Sequence, residues 1–184
     1  MRWDQIEGWF SQFDATFVSD ACNKIHNGLI VEVGFFAGRC TSIMAPICRK
    51  NNSVFHTIDN CQGADIKDPA TKAQRKRDMR SVFDKNMKIM GLSEYIIVHQ
   101  MDGAKAAQLF DEESVDFCFL DASHVAADVQ KDIDAWWPTI KKGGFLGGHD
   151  YQWDSVRGVV NGFAAIYDKK AKLSKDKQCW LIRK

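Results

Sequence analysis

Residues Leu29 to Gly38 read LIVEVGFFAG: branched apolar residues around one acid, then a turn bracketed by Gly34 and Gly38. A short, nearly continuous apolar run of this kind is the pattern of a central parallel strand, because such a strand is covered on both faces and meets water on neither. Glycine in the turn lets the backbone come close to a ligand, and the start of the next helix carries N–H groups free to meet an anion such as a carboxylate. Residues 39–50 read as that helix, with Pro46 inside it, where a kink is expected.

Working outward, four further segments have strand character: SVFHTID (53–59), EYIIVHQMD (94–102), SVDFCFLD (114–121) and GGFLGGHD (143–150). Helical patterns lie between them at about 71–90, 104–110 and 124–137, the last with Val125, Val129, Ile133 and Trp136 on one face. Such alternation predicts an α/β fold, a doubly wound, Rossmann-like and mostly parallel sheet with right-handed crossovers and helices on both faces. A helix over 156–168 and the strand-like QCWLIRK (178–184) predict an antiparallel edge hairpin, with the Lys-rich stretch 169–177 as a surface turn. At the other end Trp3, Ile6, Phe10, Phe13 and Phe17 recur at three- and four-residue steps, which predicts an amphipathic helix over 3–18 with one aromatic stripe, either packed on the core or offered to a partner. No composition shift marks a linker, so a single domain over 1–184 is expected: an N-terminal helical extension (1–27) and a sheet (28–184).

Composition bounds the function. At 184 residues, 45% hydrophobic and 27% charged, the chain has the balance of a globular protein with a real core. A net charge of +1 argues against a nucleic-acid partner, whose affinity leans on a large excess of Lys and Arg. The start, MRWDQIEGWF, carries Asp4 and Glu7 and lacks a signal-like apolar core, and no later segment approaches a membrane-spanning length, so a soluble cytoplasmic protein is expected, with a homo-oligomer left open. The six cysteines lack CxxC spacing and several lie in apolar runs, which reads as small buried hydrophobes kept reduced ahead of metal or disulfide roles.

Polar residues recur at one place in each unit. Glu32 lies in the first strand and Gly34 follows it; Asp59, Asp102 and Asp121 end the second, third and fourth, and His149-Asp150 end the fifth. Open α/β sheets bind ligands outside the carboxyl ends of their strands, so these groups are expected on one crevice. Each acid alone could equally cap a helix or start a turn, Asp102 above all. The glycine turn lacks the full GxGxxG spacing of a dinucleotide site. Asp59, about 20 positions after Gly38, is placed to accept both hydroxyls of a ribose. A nucleoside with an amino-acid tail, such as S-adenosylmethionine, fits both facts.

Three segments together, IVEVGFFAGRCTSIMA (30–45), HTIDNCQG (56–63) and VDFCFLDASHVAADVQKDIDAWWPTIKKGGFLGGHDYQWDSVRGVVNGF (115–163), resemble the class I S-adenosylmethionine-dependent methyltransferases, and within them the small family related to cephalosporin-hydroxylase and macrolide-sugar methyltransferase proteins. The resemblance spans roughly residues 28–184. It implies that Glu32, Gly34, Phe35 and Gly38 surround the methionine part of the cofactor, Asp59 and Asn60 the ribose, Asp102 and Gly103 the adenine edge, and that Asp121 sits beside the methyl-bearing sulfur. Ala126 departs from the family, where an aromatic residue is common at that point on the acceptor side.

The expected reaction is O-methylation of a small-molecule acceptor, a sugar or a secondary metabolite. An NAD-dependent oxidoreductase and a non-catalytic nucleoside- or partner-binding module are the alternatives. An alcohol acceptor needs its proton handled. Asp121, His149 and Asp150 can converge as ligands for a divalent metal (Mg²⁺ or Mn²⁺), as catechol-type methyltransferases use the ends of the same two strands, with imidazole better suited to Mn²⁺, Fe²⁺ or Zn²⁺ than to Mg²⁺. Alternatively His149 or His124 acts as a general base without metal, or His149 and Asp150 merely close the strand with a hydrogen bond. The basic run Lys72, Arg75, Lys76, Arg77 and Arg80 reads as a solvated helix face or an acidic-substrate clamp. His124, Asp128 and Asp132 share a helix face, where acids near the start favour the dipole. Trp136, Trp137 and Trp153 read as core or acceptor-pocket wall.

Overall fold

A computed structural model describes residues 1–63 and 77–184. Its elements in chain order are α1 (Gln12–Cys22), β1 (Leu29–Val33), α2 (Thr41–Lys50), β2 (Val54–Ile58), α3 (Met79–Met90), β3 (Ile97–His99), α4 (Gly103–Ala106), β4 (Val115–Leu120), α5 (Ala126–Trp136), β5 (Ile140–Gly148), α6 (Asp154–Ile166), β6 (Lys172–Leu173) and β7 (Trp180–Arg183). Together the strands form one seven-stranded sheet in the order β3-β2-β1-β4-β5-β7-β6. The first five are parallel. β7 runs antiparallel to β5 and β6 pairs antiparallel with β7, the hairpin expected at the edge.

Because side chains alternate along a strand, each central strand feeds two cores. Phe117 and Phe119 of β4 join Phe10, Val18, Met44, Phe83 and Met87 on one side. Cys118 and Leu120 join Ile133, Trp136, Val160 and Trp180 on the other. Burying a large apolar side chain fully stabilises by about 1.5–3 kcal/mol, and Phe117 and Phe119 are both wholly enclosed. The register brings the strand tips level: Val33 pairs with Ile58 and with Leu120, and Leu120 with Gly148.

The helix expected over 3–18 is broken. Trp3–Gln5 forms a 3-10 turn, Gly8 takes φ +151°, and α1 starts only at Gln12. The reason is local: Ser11 caps the helix by accepting from the Asp14 N–H while Asp14 accepts from the Ser11 N–H, a reciprocal box that fixes the start there. The buried stripe of α1 is consequently Asp14, Ala15, Val18, Ala21 and Cys22. Phe13 is exposed and Phe17 half-buried, each beneath a lysine, Lys175 and Lys172 respectively.

Other boundaries moved less. β3 is short and preceded by a 3-10 turn at Ser93–Tyr95, β5 begins at Ile140, and the segment expected as a helix over 104–110 divides into α4 and a 3-10 turn, Ala107–Leu109. β6 lies inside the stretch read as a turn. α2 continues through Pro46. In the helix expected over 71–90, residues 71–76 lie outside the described residues; α3 opens on an Asp78 cap and closes on Gly91 at φ +66°. All six cysteines are free thiols, five of them buried. Among the described residues no helix is long and apolar enough to cross a membrane.

Candidate active site

Past the strand ends the parallel ladder continues for one more residue. Gly34 N donates to the Ile58 carbonyl at 2.7 Å, Asp121 N to Val33 at 2.7 Å, His149 N to Leu120 at 3.0 Å and Asp59 N to His99 at 3.1 Å. These bonds hold the strand-end residues on one rim, and Gly34, Asp59, Asp102, Asp121, His149 and Asp150 all line a single cleft of about 1060 Å³. Phe35, Asn60, Gly103 and His124 line it too. Glu32 and Gly38 do not.

The glycine turn is held by Asp59, whose Oδ2 accepts from Phe36 N at 3.0 Å and whose Oδ1 accepts from Cys61 N at 2.7 Å. Burial pushes its carboxyl up, against those backbone bonds. Phe36 sits at φ +45° and Gly34 at φ +99°. Gly38, at φ +92°, faces α3: a β-carbon there would lie 2.5 Å from the Met87 methyl. Glu32 is enclosed beneath the turn, its Oε2 accepting from the hydroxyls of Thr41 at 2.5 Å and Thr57 at 2.6 Å, its Oε1 without a partner. Burial pushes its carboxyl up to about 7 despite the two hydroxyls.

At the far side of β1, Asp102 does cap α4, accepting from Lys105 N at 3.0 Å, and also pairs with Lys131 at 3.1 Å. The Lys105 N–H and the Lys131 charge hold its carboxyl below the usual range. Gly103 lies so near Val33 that a β-carbon would come within 2.6 Å of its methyl. Asp132, on α5, completes this end of the cleft; burial and the neighbouring Asp102 push its carboxyl up to about 7.

Beyond the ends of β4 and β5 lies a chain of charges. His149 Nδ1 is 3.2 Å from Asp150 Oδ1 and 3.7 Å from Asp121 Oδ1, and the other Asp150 oxygen is 2.9 Å from His124 Nε2. One donor atom from each of Asp121, His149 and Asp150 falls within 4.8 Å of the others, close enough for the three to hold an ion. Burial pushes the Asp121 carboxyl up to about 6, with Asp150 adding repulsion and the histidines pulling the other way. Burial also opposes the charge on His149, but the surrounding Asp121, Asp14 and Asp150 raise it well above the ordinary imidazole range. Asp150 lies far below the carboxylate range because bonds from His124 and His149 outweigh its burial. It adopts φ +61°, a left-handed conformation Asp tolerates, and so turns back toward both imidazoles.

Several cleft residues gave no clear signal in the sequence. Trp9 and Phe10 reach the cleft from the segment before α1, Trp9 stacking on Phe36 at 5.5 Å. Arg39 clasps that segment through the Gly8 and Asp4 carbonyls. Of the tryptophans, Trp136 and Trp137 are core, and Trp153 lines the cleft stacked on His124 at 5.2 Å. In the basic run Arg77 pairs with Glu7 and Arg80 with Asp84, while Lys72, Arg75 and Lys76 lie outside the described residues.

A parallel sheet in this order with a ligand-sized cleft over its carboxyl edge defines the class of α/β folds that bind nucleotide-type ligands there. A family model described as a methyltransferase domain matches residues 31–151, and the chain belongs to that family. It is an S-adenosylmethionine-dependent methyltransferase, which decides against the nicotinamide alternative. Solved structures agree in fold. The O-methyltransferase NovP is similar with a TM-score of 0.73 at 13% identity, over 94% of this chain and 79% of its own. An S-adenosylmethionine-dependent O-methyltransferase from Thermotoga maritima gives 0.66 at 15%, over 97% and 67%. CalS11, a TDP-rhamnose 3'-O-methyltransferase of calicheamicin biosynthesis, gives 0.61 at 12%, over 95% and 81%.

Proposed function

We propose that the chain methylates a hydroxyl of a small-molecule acceptor, a sugar or a secondary metabolite. The observation that carries this reading is the common rim, on which six strand-end residues face one cleft. NovP and CalS11 bear O-methyltransferase names, and CalS11 acts on a deoxysugar nucleotide, which supports the sugar class.

S-adenosylmethionine supplies an activated sulfonium methyl; the chain must align it with the acceptor, a task in which orientation alone is worth about 7 kcal/mol or more. Gly34 and Phe35 would hold the methionine end, with Glu32 and Gly38 supporting the turn from behind. Asp59 and Asn60 would take the ribose, Asp102 and Gly103 the adenine edge, and Asp121 would lie beside the sulfonium.

For the acceptor's proton we favour a divalent ion held by Asp121, His149 and Asp150. Nδ1 lies 3.2 and 3.7 Å from the two oxygens, close enough that the three side chains could share one ion. The imidazole suits Mn²⁺ better than Mg²⁺. Such an ion lowers the pKa of a bound hydroxyl. The three carboxylates around His149 favour its charged form, and an ion would have to displace the Nδ1 proton, which makes this imidazole a ligand in the reading and not the acceptor's base. A second reading has His124 as the base, since it faces the cleft and is bonded to Asp150.

Calorimetric titration with S-adenosylmethionine and transfer of labelled methyl to a panel of sugar and phenolic hydroxyls test the proposal. Absence of binding at millimolar cofactor would overturn it. Full activity after stripping by chelators would remove the metal and leave His124, whose titration should then appear in the pH profile of kcat.

A further inference from the structure

The N-terminal helix reaches the reacting end from behind. Asp14, in the first turn of α1, is 0% exposed. Its Oδ2 accepts from Ser11 N at 2.7 Å and its Oδ1 from the Cys179 thiol at 3.3 Å. The same Oδ2 lies 3.4 Å from Nε2 of His149. That nitrogen is closed off from solvent and has no hydrogen-bond partner of normal geometry. A buried N–H left unpaired is costly, and an ionised carboxylate at 3.4 Å is an acceptor that a small shift brings into line.

Two further contacts set this geometry. Phe10 packs on the imidazole with ring centroids 5.2 Å apart. Ser11 Oγ donates to Asp176 at 2.7 Å, pinning the start of α1 to the turn before β7. Asp14, His149 and Cys179 also approach closely enough to hold an ion, but both Asp14 oxygens already accept hydrogen bonds and all three side chains are shut away, so ordinary hydrogen bonding accounts for them.

We infer that Asp14 is a positioning residue of the active site: it holds a proton on Nε2 of His149 and thereby presents Nδ1 to Asp121 and Asp150. Its catalytic meaning rests on the methyltransferase reading above; the contact itself does not. The consequence is that α1, outside the sheet, is a structural part of the reacting end. Partners of this kind behind a ligating histidine fix its tautomer and ring orientation, and their loss weakens metal binding by about 10- to 100-fold.

The test uses the full chain with ¹⁵N-labelled histidine, its long-range ¹H–¹⁵N spectrum assigned with the His149→Gln variant. A slowly exchanging Nε2–H is expected on His149 in the wild type, and at least tenfold faster exchange in Asp14→Asn. Binding of Mn²⁺ alone, followed by loss of its solution EPR signal, should weaken by about 10- to 100-fold in Asp14→Asn, while S-adenosylmethionine affinity stays within about twofold. Cys179→Ala, which removes the thiol donor to Asp14 Oδ1, should leave both readouts near wild type. An unprotonated or freely exchanging Nε2 in the wild type overturns the inference, as does a folded Asp14→Asn variant with unchanged exchange. If that variant does not fold, the wild-type spectrum decides. Failure of the wild type to bind S-adenosylmethionine would sink the methyltransferase reading and leave the Nε2 result standing.

Discussion

Gly34 and Asp121 meet so closely at the tips of β1 and β4 that a β-carbon on Gly34 would lie 2.0 Å from the Asp121 carbonyl oxygen. The obstacle is backbone, which cannot swing aside, and Gly34 also holds φ +99°. Gly34→Ala is therefore expected to cost about 3–5 kcal/mol, read by urea unfolding, from the left-handed conformation and the overpacking together. Any variant that remains folded should have a displaced Asp121 and a strongly reduced kcat.

Gly38 makes a contrasting case. Its hypothetical β-carbon meets the Met87 methyl and the Phe83 ring, flexible neighbours, and it faces away from the cleft. Gly38→Ala should lower stability by about 2 kcal/mol and leave S-adenosylmethionine affinity within about threefold once measured on the folded fraction. Stability unchanged with affinity lost would return Gly38 to direct cofactor contact.

Asp59 is bonded to the turn and faces the cleft. Asp59→Ala should weaken S-adenosylmethionine binding by about 10- to 100-fold in calorimetry, as hydrogen bonds to a charged group are worth about 1.5–3 kcal/mol. S-adenosylhomocysteine, which keeps the ribose, should lose the same factor.

Glu32 gives stability a pH dependence. Its carboxyl moves from an ordinary 4.5 to about 7 on folding because burial disfavours the charge. Between those values the unfolded chain has released the proton and the folded chain retains it, so this group lowers stability as pH rises through that window, by up to an order of 3 kcal/mol. Glu32→Gln removes the titration. The stability difference between variant and wild type should thus favour the variant more at pH 8 than at pH 5, by chemical denaturation at both; a pH-independent difference would contradict the raised value.

Much of this was legible along the chain. The apolar run of β1, the acids closing β2, β3 and β4, and the HisAsp closing β5 are local patterns, and parallel pairing aligned them on one edge because crossover connections leave little choice of direction. Asp14 was illegible for a physical reason. In the sequence it lies beside an aromatic stripe and looks like a solvated acid, and only the Ser11 cap rotates α1 so that Asp14 enters the core behind His149. Phe13 and Phe17 misled in the same way, since a stripe read continuously from Trp3 ignores the break at Gly8.

The amino-acid order by itself determined the alternation of elements, the sheet type and the residues that end each strand, since these follow from hydrophobic periodicity and glycine placement within a few residues. Which of those residues touch was decided by tertiary packing. Register set Gly34 against Asp121, α3 claimed Gly38, and a helix from outside the sheet supplied Asp14 to His149. Those pairings join residues far apart in the chain, and no local rule carries information about a neighbour that only the closed fold brings within hydrogen-bonding distance.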